Sequence, residues 1–153
     1  MILFNPSTAR EFHPKFNLGN KEIDLVEETK LLGVVVRSDL GWSSNTDYIV
    51  GRANNKLWFL RRLKKLGANE DDLKDVYVKQ IRSILEFAVP VWHNSLNGED
   101  RVKIERVQKS ALYIILGESY QSYTSALKSI QLESLFRRLQ KLCTTFAKKM
   151  LQE

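Results

Sequence analysis

Two groupings of side chains in this sequence are of a kind that can do chemistry. The first is Asp71-Asp72, since adjacent carboxylates are used to hold catalytic magnesium where phosphoryl groups are moved. The second is the segment GRANNKLWFLRRLKKLG at 51–67, which carries Arg52, Lys56, Arg61, Arg62, Lys64 and Lys65 and no acid. The whole chain has 24 Lys and Arg against 18 Asp and Glu, a formal charge of +6, so without these six cations the rest would be neutral. The excess positive charge therefore belongs to one segment. At about 100° per residue, Arg52, Lys56 and Arg62 fall away from the apolar stripe of a helix, and Arg61, Lys64 and Lys65 flank it in the last turns. Such a face suits the phosphates of a nucleic acid. It also suits plain solvation, with the last cations complementing the helix dipole. The absence of interleaved acids, and the repulsion of like charges at i, i+4, weigh toward phosphate contact.

The acids read differently. ANEDDLKD sets Asp71 and Asp72 in the first turn of a predicted helix, where carboxylates complement the N-terminus, and not on a hairpin between apolar strands. Neither a phosphate-cradling glycine loop nor a nucleophile elbow occurs in the sequence. Cys143 is the single cysteine and has only His13 and His93 for company, too few ligands for a Cys/His zinc site. Its helical spacing from Leu139, Leu142 and Phe146 predicts a buried structural thiol. No apolar run is long enough for a transmembrane helix, and MILFNPSTAR lacks the basic start and apolar core of a secretory signal, so the chain reads as soluble and intracellular, nuclear or cytoplasmic.

The elements that must position these residues change character near Trp42. Before it, ILF at 2–4, FNL at 16–18, EIDLV at 22–26 and KLLGVVVR at 30–37 are short apolar runs parted by turn residues, and Gly19-Asn20 reads as a hairpin turn. A small antiparallel sheet over residues 1–41 is expected. Residues 42–153 read as a helical bundle. Ser43 or Ser44 caps a first helix with a stripe of Ile49, Ala53, Leu57, Leu60 and Leu63, stopped by Gly67. Asn69 opens a second, with Leu73, Val76, Tyr77, Gln80, Ile81, Ile84 and Leu85 inward and Pro90 as its end. A third follows Asn97 with Val102, Ile104, Val107, Ala111, Leu112 and Ile115 inward and ends at Gly117. Ser122 opens a short fourth through Ile130. A fifth runs from Glu133 to Met150 with Leu135, Leu139, Leu142 and Phe146 on one side. The fold class is thus mainly α: a five-helix bundle preceded by a small antiparallel sheet. Trp42, Trp58 and Trp92 read as core residues, with Trp58 lying beside the charged face as much as the apolar one, and Tyr120 and Tyr123 read as packing residues.

Several of these stretches resemble, in order and spacing, the end of the reverse transcriptases of non-LTR (LINE-type) retrotransposons. TKLLGVVVRSDLGW at 29–42 looks like the close of the palm and the primer-grip hairpin, and NTDYIVGRANNKLWFLRRLKKLG at 45–67 resembles the first thumb helix. DDLKDVYVKQIRSILEFAVPVWHNSL at 71–96 and IERVQKSALYIILG at 104–117 are similar to the next two helices, LESLFRRLQKLCTTFAKKM to the closing helix, and MILFNPS to the strand after the catalytic hairpin. The series PVWH, ERVQK and a Tyr-containing turn is its most specific part. Ser110 stands where the family usually has another basic residue, and WSSN lacks a His often found at that helix start.

The resemblance implies a fragment of an RNA-directed DNA polymerase from a transposable element, with the last palm strands, primer grip and thumb. The family's magnesium-binding aspartates precede this region, so the isolated chain is expected to be non-catalytic and to hold no cofactor of its own. Leu31, Leu32 and Gly33 would form the grip, and Arg52, Lys56, Arg61, Arg62, Lys64 and Lys65 would follow the backbone of an RNA/DNA or DNA duplex, without sequence specificity. The partners implied are that duplex and the missing palm and fingers, with no membrane. The rival expectation is a protein-interaction or structural remnant that binds no nucleic acid and self-associates through uncovered apolar faces.

Overall fold

The computed structural model describes Ile2, Phe4 and residues 16–152; of the strand expected at 2–4 only Ile2 and Phe4 are described, and His13 lies outside the described residues. The chain divides into two compact units, Met1–Asn45 and Thr46–Glu153, with the division inside the first helical turn and not at residue 42.

In the first unit the β-prone runs form two separate hairpins, not one sheet. Strands β1 (Phe16–Leu18) and β2 (Lys21–Ile23) pair antiparallel around Gly19-Asn20, where Gly19 supplies the positive φ of 64° that a two-residue loop requires. The apolar run 22–26 leaves the strand conformation after Ile23. Strands β3 (Glu28–Leu31) and β4 (Val34–Arg37) pair with Leu31 opposite Val34, so that KLLGVVVR folds back on itself at Leu32-Gly33. Both turn residues have positive φ, 47° and 90°. A type I′ turn demands this, and only Gly33 adopts it freely. Asp39 closes the following loop by accepting hydrogen bonds from Arg37 and from the Gly41 N–H, and these hold its carboxyl down at about 2.

The bundle begins with α1 (Ser43–Lys65). Its apolar stripe buries Ile49, Ala53, Leu57 and Leu60. It ends in a Schellman arrangement, with Ala68 N–H on the Leu63 carbonyl, Gly67 N–H on that of Lys64, and Gly67 at φ 87°. Asn69 caps α2 (Glu70–Val76) by accepting from the Asp72 N–H at 2.8 Å. The helix then passes through a π-turn, Tyr77–Arg82, into α3 (Ser83–Glu86). The apolar spacing explains this turn. Leu73, Tyr77, Ile81 and Leu85 are fully buried at intervals of four residues. In an ideal α-helix each such step drifts by about 40°. A turn closed i→i+5 takes back part of that drift and keeps all four on one face. Gln80, expected inward, is exposed as a result.

The second helix stops at Glu86, four residues ahead of the expected Pro90. Pro90 instead lies in the first turn of α4 (Val89–Trp92), where its missing N–H costs nothing. The buried Trp92 donates its indole N–H to the Phe87 carbonyl at 3.0 Å and so satisfies the helix end it packs against. Helices α5 (Gly98–Leu116), α6 (Tyr123–Ser129) and α7 (Leu135–Met150) follow, capped by Asn97, Ser122 and Ser134. Ile104, Val107, Ala111, Leu112 and Ile115 carry α5 into the core, whereas Val102, expected inward, is 55% exposed. Leu135 and Leu139 bury the first half of α7, while Phe146 stands exposed and Cys143 is only half-buried. Burial still raises the Cys143 thiol pKa, which keeps it protonated. Among the described residues no helix is long and apolar enough to cross a membrane.

Two predictions follow from strain and from burial. Leu32→Asn should stabilise the β3–β4 hairpin by about 1 kcal/mol, because Asn tolerates the left-handed region, and amide exchange across β4 should slow about fivefold. His93 is buried beside Trp92 and Phe136, and burial, then the nearby Arg101, lowers its pKa. The unfolded chain takes up a proton near 6.5 that the folded form resists. This part of the stability is therefore complete above that pH and is lost as pH falls toward the depressed folded value. His93→Phe should flatten the decline of the thermal midpoint between pH 7 and 5.

Candidate nucleic-acid interface

The six cations of α1 do not act as one set. Arg61, Lys64 and Lys65 line an open trough of about 1020 Å³ whose other wall is α5, with Arg106 and Lys109. Arg52 and Arg62 lie elsewhere on the helix, each stacked on an aromatic one turn earlier: Arg52 is 5.6 Å from the Tyr48 ring, and Arg62 is 6.0 Å from that of Trp58. Lys56 is exposed and also outside the trough. Trp58 is 63% exposed, so its position beside the charged face, and not the core default, describes it; Trp92 is core and Trp42 half-buried.

Two polar contacts align the walls. Lys103 Nζ lies 2.6 Å from Asp47 near the helix starts, and Lys64 Nζ donates to the Ile115 carbonyl at 2.7 Å near their ends. Helices α1 and α5 therefore run in the same direction. Lys64 is committed to the C-terminal carbonyls of α5, where a cation is favourable, and so builds the trough more than it serves a ligand. Arg61, Lys65, Arg106 and Lys109 are exposed and make no ion pair among the described residues.

One acid, Glu105, lines the same trough, and its charge is engaged inside the protein. Its carboxylate accepts from the Leu135 N–H at 3.0 Å, from the Phe136 N–H at 2.8 Å and from the Tyr123 hydroxyl. It thus caps the N-terminus of α7 from another helix. Burial, and then the hydrogen bond to Glu105, raise the Tyr123 pKa, so its phenol stays a donor. One turn along α5, the buried Gln108 accepts from the Tyr77 hydroxyl at 2.6 Å and donates to the Tyr123 hydroxyl and the Glu133 carbonyl, both at 2.9 Å. Within ERVQK, then, Glu105, Val107 and Gln108 hold the bundle, and Arg106 and Lys109 face the trough.

Between the cations the lining is mostly apolar, with Tyr113, Ile114, Tyr120 and Tyr123 contributing. Tyr120 and Tyr123, expected only to pack, also shape this surface. Sequence reasoning assigned no role to Arg106 or Tyr113. The signal was present in the i, i+3, i+7 spacing of Arg106, Lys109 and Tyr113, but only the placement of α5 beside α1 gives that face a partner.

Leu31 and Leu32 sit 60% and 89% exposed at the β3–β4 turn with Gly33, in the first unit. Asp71 and Asp72 are exposed in the first turn of α2, and the Asn69 side-chain amide donates to Asp72 at 2.8 Å. Among the described residues no three His, Cys, Asp or Glu gather to hold a metal ion. No family model, curated protein or solved structure matches this chain.

Gln108→Leu would leave the buried Tyr77 hydroxyl without a partner and would remove the Gln108 donor from the part-buried Glu133 carbonyl. A loss of about 2–4 kcal/mol is expected, read as a lowered urea midpoint at unchanged slope.

Proposed function

We propose that this chain is a non-catalytic, thumb-like module of the kind that closes non-LTR reverse transcriptases, and that it holds a primer-template duplex by its backbone without reading sequence. The observation that carries the reading is the trough between α1 and α5, where four exposed cations face outward and the one acid is engaged internally. Cations arranged without ion-pair partners are suited to phosphates, and contacts to phosphates alone confer no sequence preference. Under this reading Arg61, Lys65, Arg106 and Lys109 carry the contact. Lys64 keeps the trough in shape, and Arg52, Lys56 and Arg62 extend the positive field along α1. The exposed Leu31-Leu32 turn corresponds to the grip that the sequence resemblance implies.

A second reading, a protein-binding remnant, is favoured by the far end of α7, where Phe146, Met150 and Leu151 are 51%, 58% and 87% exposed. It predicts an assembly whose size grows with concentration and no affinity for nucleic acid.

Fluorescence anisotropy of a labelled RNA/DNA duplex separates the two. Log K should fall with log salt at about −0.9 per phosphate neutralised, so the four-site variant with Arg61, Lys65, Arg106 and Lys109 changed to Gln should lose a slope of roughly 3 to 4 along with its affinity. Identical behaviour of variant and parent would refute the duplex-holding reading.

A further inference from the structure

Four cations suffice to touch a duplex backbone, but they leave the floor between them unexplained. Phosphate contacts call for polar donors on an accessible ridge, whereas this floor is apolar and concave, with about 1020 Å³ of space. That is at the upper end of the roughly 300–1,000 Å³ range of small-molecule pockets, and so is more than one base requires. Duplex bases are stacked on one another and cannot line such a floor; unpaired bases can. Tyr113 is 63% exposed on this surface, and its ring is oriented by an edge-to-face contact with Tyr120, with centroids 5.4 Å apart and planes at 73°. The Tyr120 hydroxyl is shielded from solvent and has no hydrogen-bond partner among the described residues. Aromatic faces flanked by cations are the combination that binds single strands: rings take the bases and cations take the phosphates.

We infer that the trough takes an unpaired stretch of nucleic acid several nucleotides long, with a base stacked on Tyr113 and its phosphates between Arg61 and Lys65 of α1 and Arg106 and Lys109 of α5. This rests on the nucleic-acid reading above and narrows it: the duplex lies against the charged rims, and the single strand that continues it enters the trough.

The test compares three labelled probes by anisotropy at one salt concentration: a blunt RNA/DNA duplex, the same duplex with a single-stranded extension of roughly ten nucleotides, and the extension alone. The full chain is used beside Tyr113→Leu and Tyr113→Phe, with circular dichroism to show that both variants keep their helices. The extended duplex should bind the parent chain about tenfold more tightly than the blunt one. Tyr113→Leu should erase that advantage while leaving blunt-duplex affinity unchanged, and Tyr113→Phe should keep it. Equal affinity for blunt and extended duplexes would overturn the inference and leave the duplex-holding function standing. So would a Tyr113→Leu loss that is the same on both probes. No binding to any of the three probes would overturn the function and the inference together.

Discussion

The geometry of the bundle depends on two polar side chains one turn apart on α5. Glu105 and Gln108 together reach the π-turn through Tyr77, α6 through Tyr123, and the start of α7 through Glu133, Leu135 and Phe136. Apolar burial alone would let these short helices slide, since it is proportional to area and indifferent to direction. Hydrogen bonds in a shielded interior are directional, and each is costly to leave unmade. The network therefore selects one register among packings of similar area. It also removes the one negative charge of the trough by turning it toward the N-terminus of α7, so the same carboxylate that orders the bundle leaves the outer face positive.

A second polar link acts at the far end of that assembly. Glu86, at the end of α3, forms an ion pair with Arg82 one turn earlier at 3.0 Å and accepts a hydrogen bond from Arg138 of α7 at 2.9 Å. The pair with Arg138 is about one-third exposed on the arginine side, so screening discounts it as a source of stability, and its value lies in orientation. With Glu105 at the start of α7 and Glu86 near its second turn, the first half of the helix is fixed at two points. Beyond Leu139 the burial fades, and the stripe that continues through Phe146 and Met150 has no cover among the described residues.

Legibility from sequence was high where local chemistry decides. The caps at Asn69, Asn97 and Ser122, the stops at Gly67 and Gly117 and the Gly19-Asn20 turn each follow from one or two residues. It failed where two preferences compete. KLLGVVVR reads by composition as one apolar run, and although the resemblance implied a hairpin over 29–42, only the pairing of Leu31 with Val34 places its turn at Leu32-Gly33 and forces Leu32 into a strained conformation. A four-residue apolar period reads as a helix with a small fault, and the π-turn is how the backbone resolves it. Pro90 is a helix breaker in isolation, but Trp92 needs its indole N–H satisfied, and the chain turns at Phe87-Ala88 to do so. At the site, helical spacing alone parted Arg61, Lys64 and Lys65 from Arg52, Lys56 and Arg62, as the trough does, but the second wall was not legible, because it depends on which helix lies beside α1.

The distribution of charge on the two walls is what the proposed reading explains better than plain solvation does. Helix-dipole stabilisation is confined to the last turn. It accounts for Lys64, which sits on the Ile115 carbonyl, and for Lys65 at the end of its own helix. It does not reach Arg106 and Lys109, which lie in the middle of α5. Arg61 with Lys64 and Lys65, and Arg106 with Lys109, are like-charge neighbours at i, i+3 or i, i+4, each a cost of about 0.2–0.5 kcal/mol. A face that only needed solvation would pair acids at those spacings and recover that energy, as Asp75 does for Lys79. On the trough the one acid so placed, Glu105 four residues before Lys109, is turned to the start of α7 and forms no ion pair with it among the described residues, so the repulsion is left above an apolar floor that water wets poorly. Under the proposed reading both costs would be relieved by one kind of molecule, carrying regularly spaced negative charges on one edge and flat apolar faces on the other.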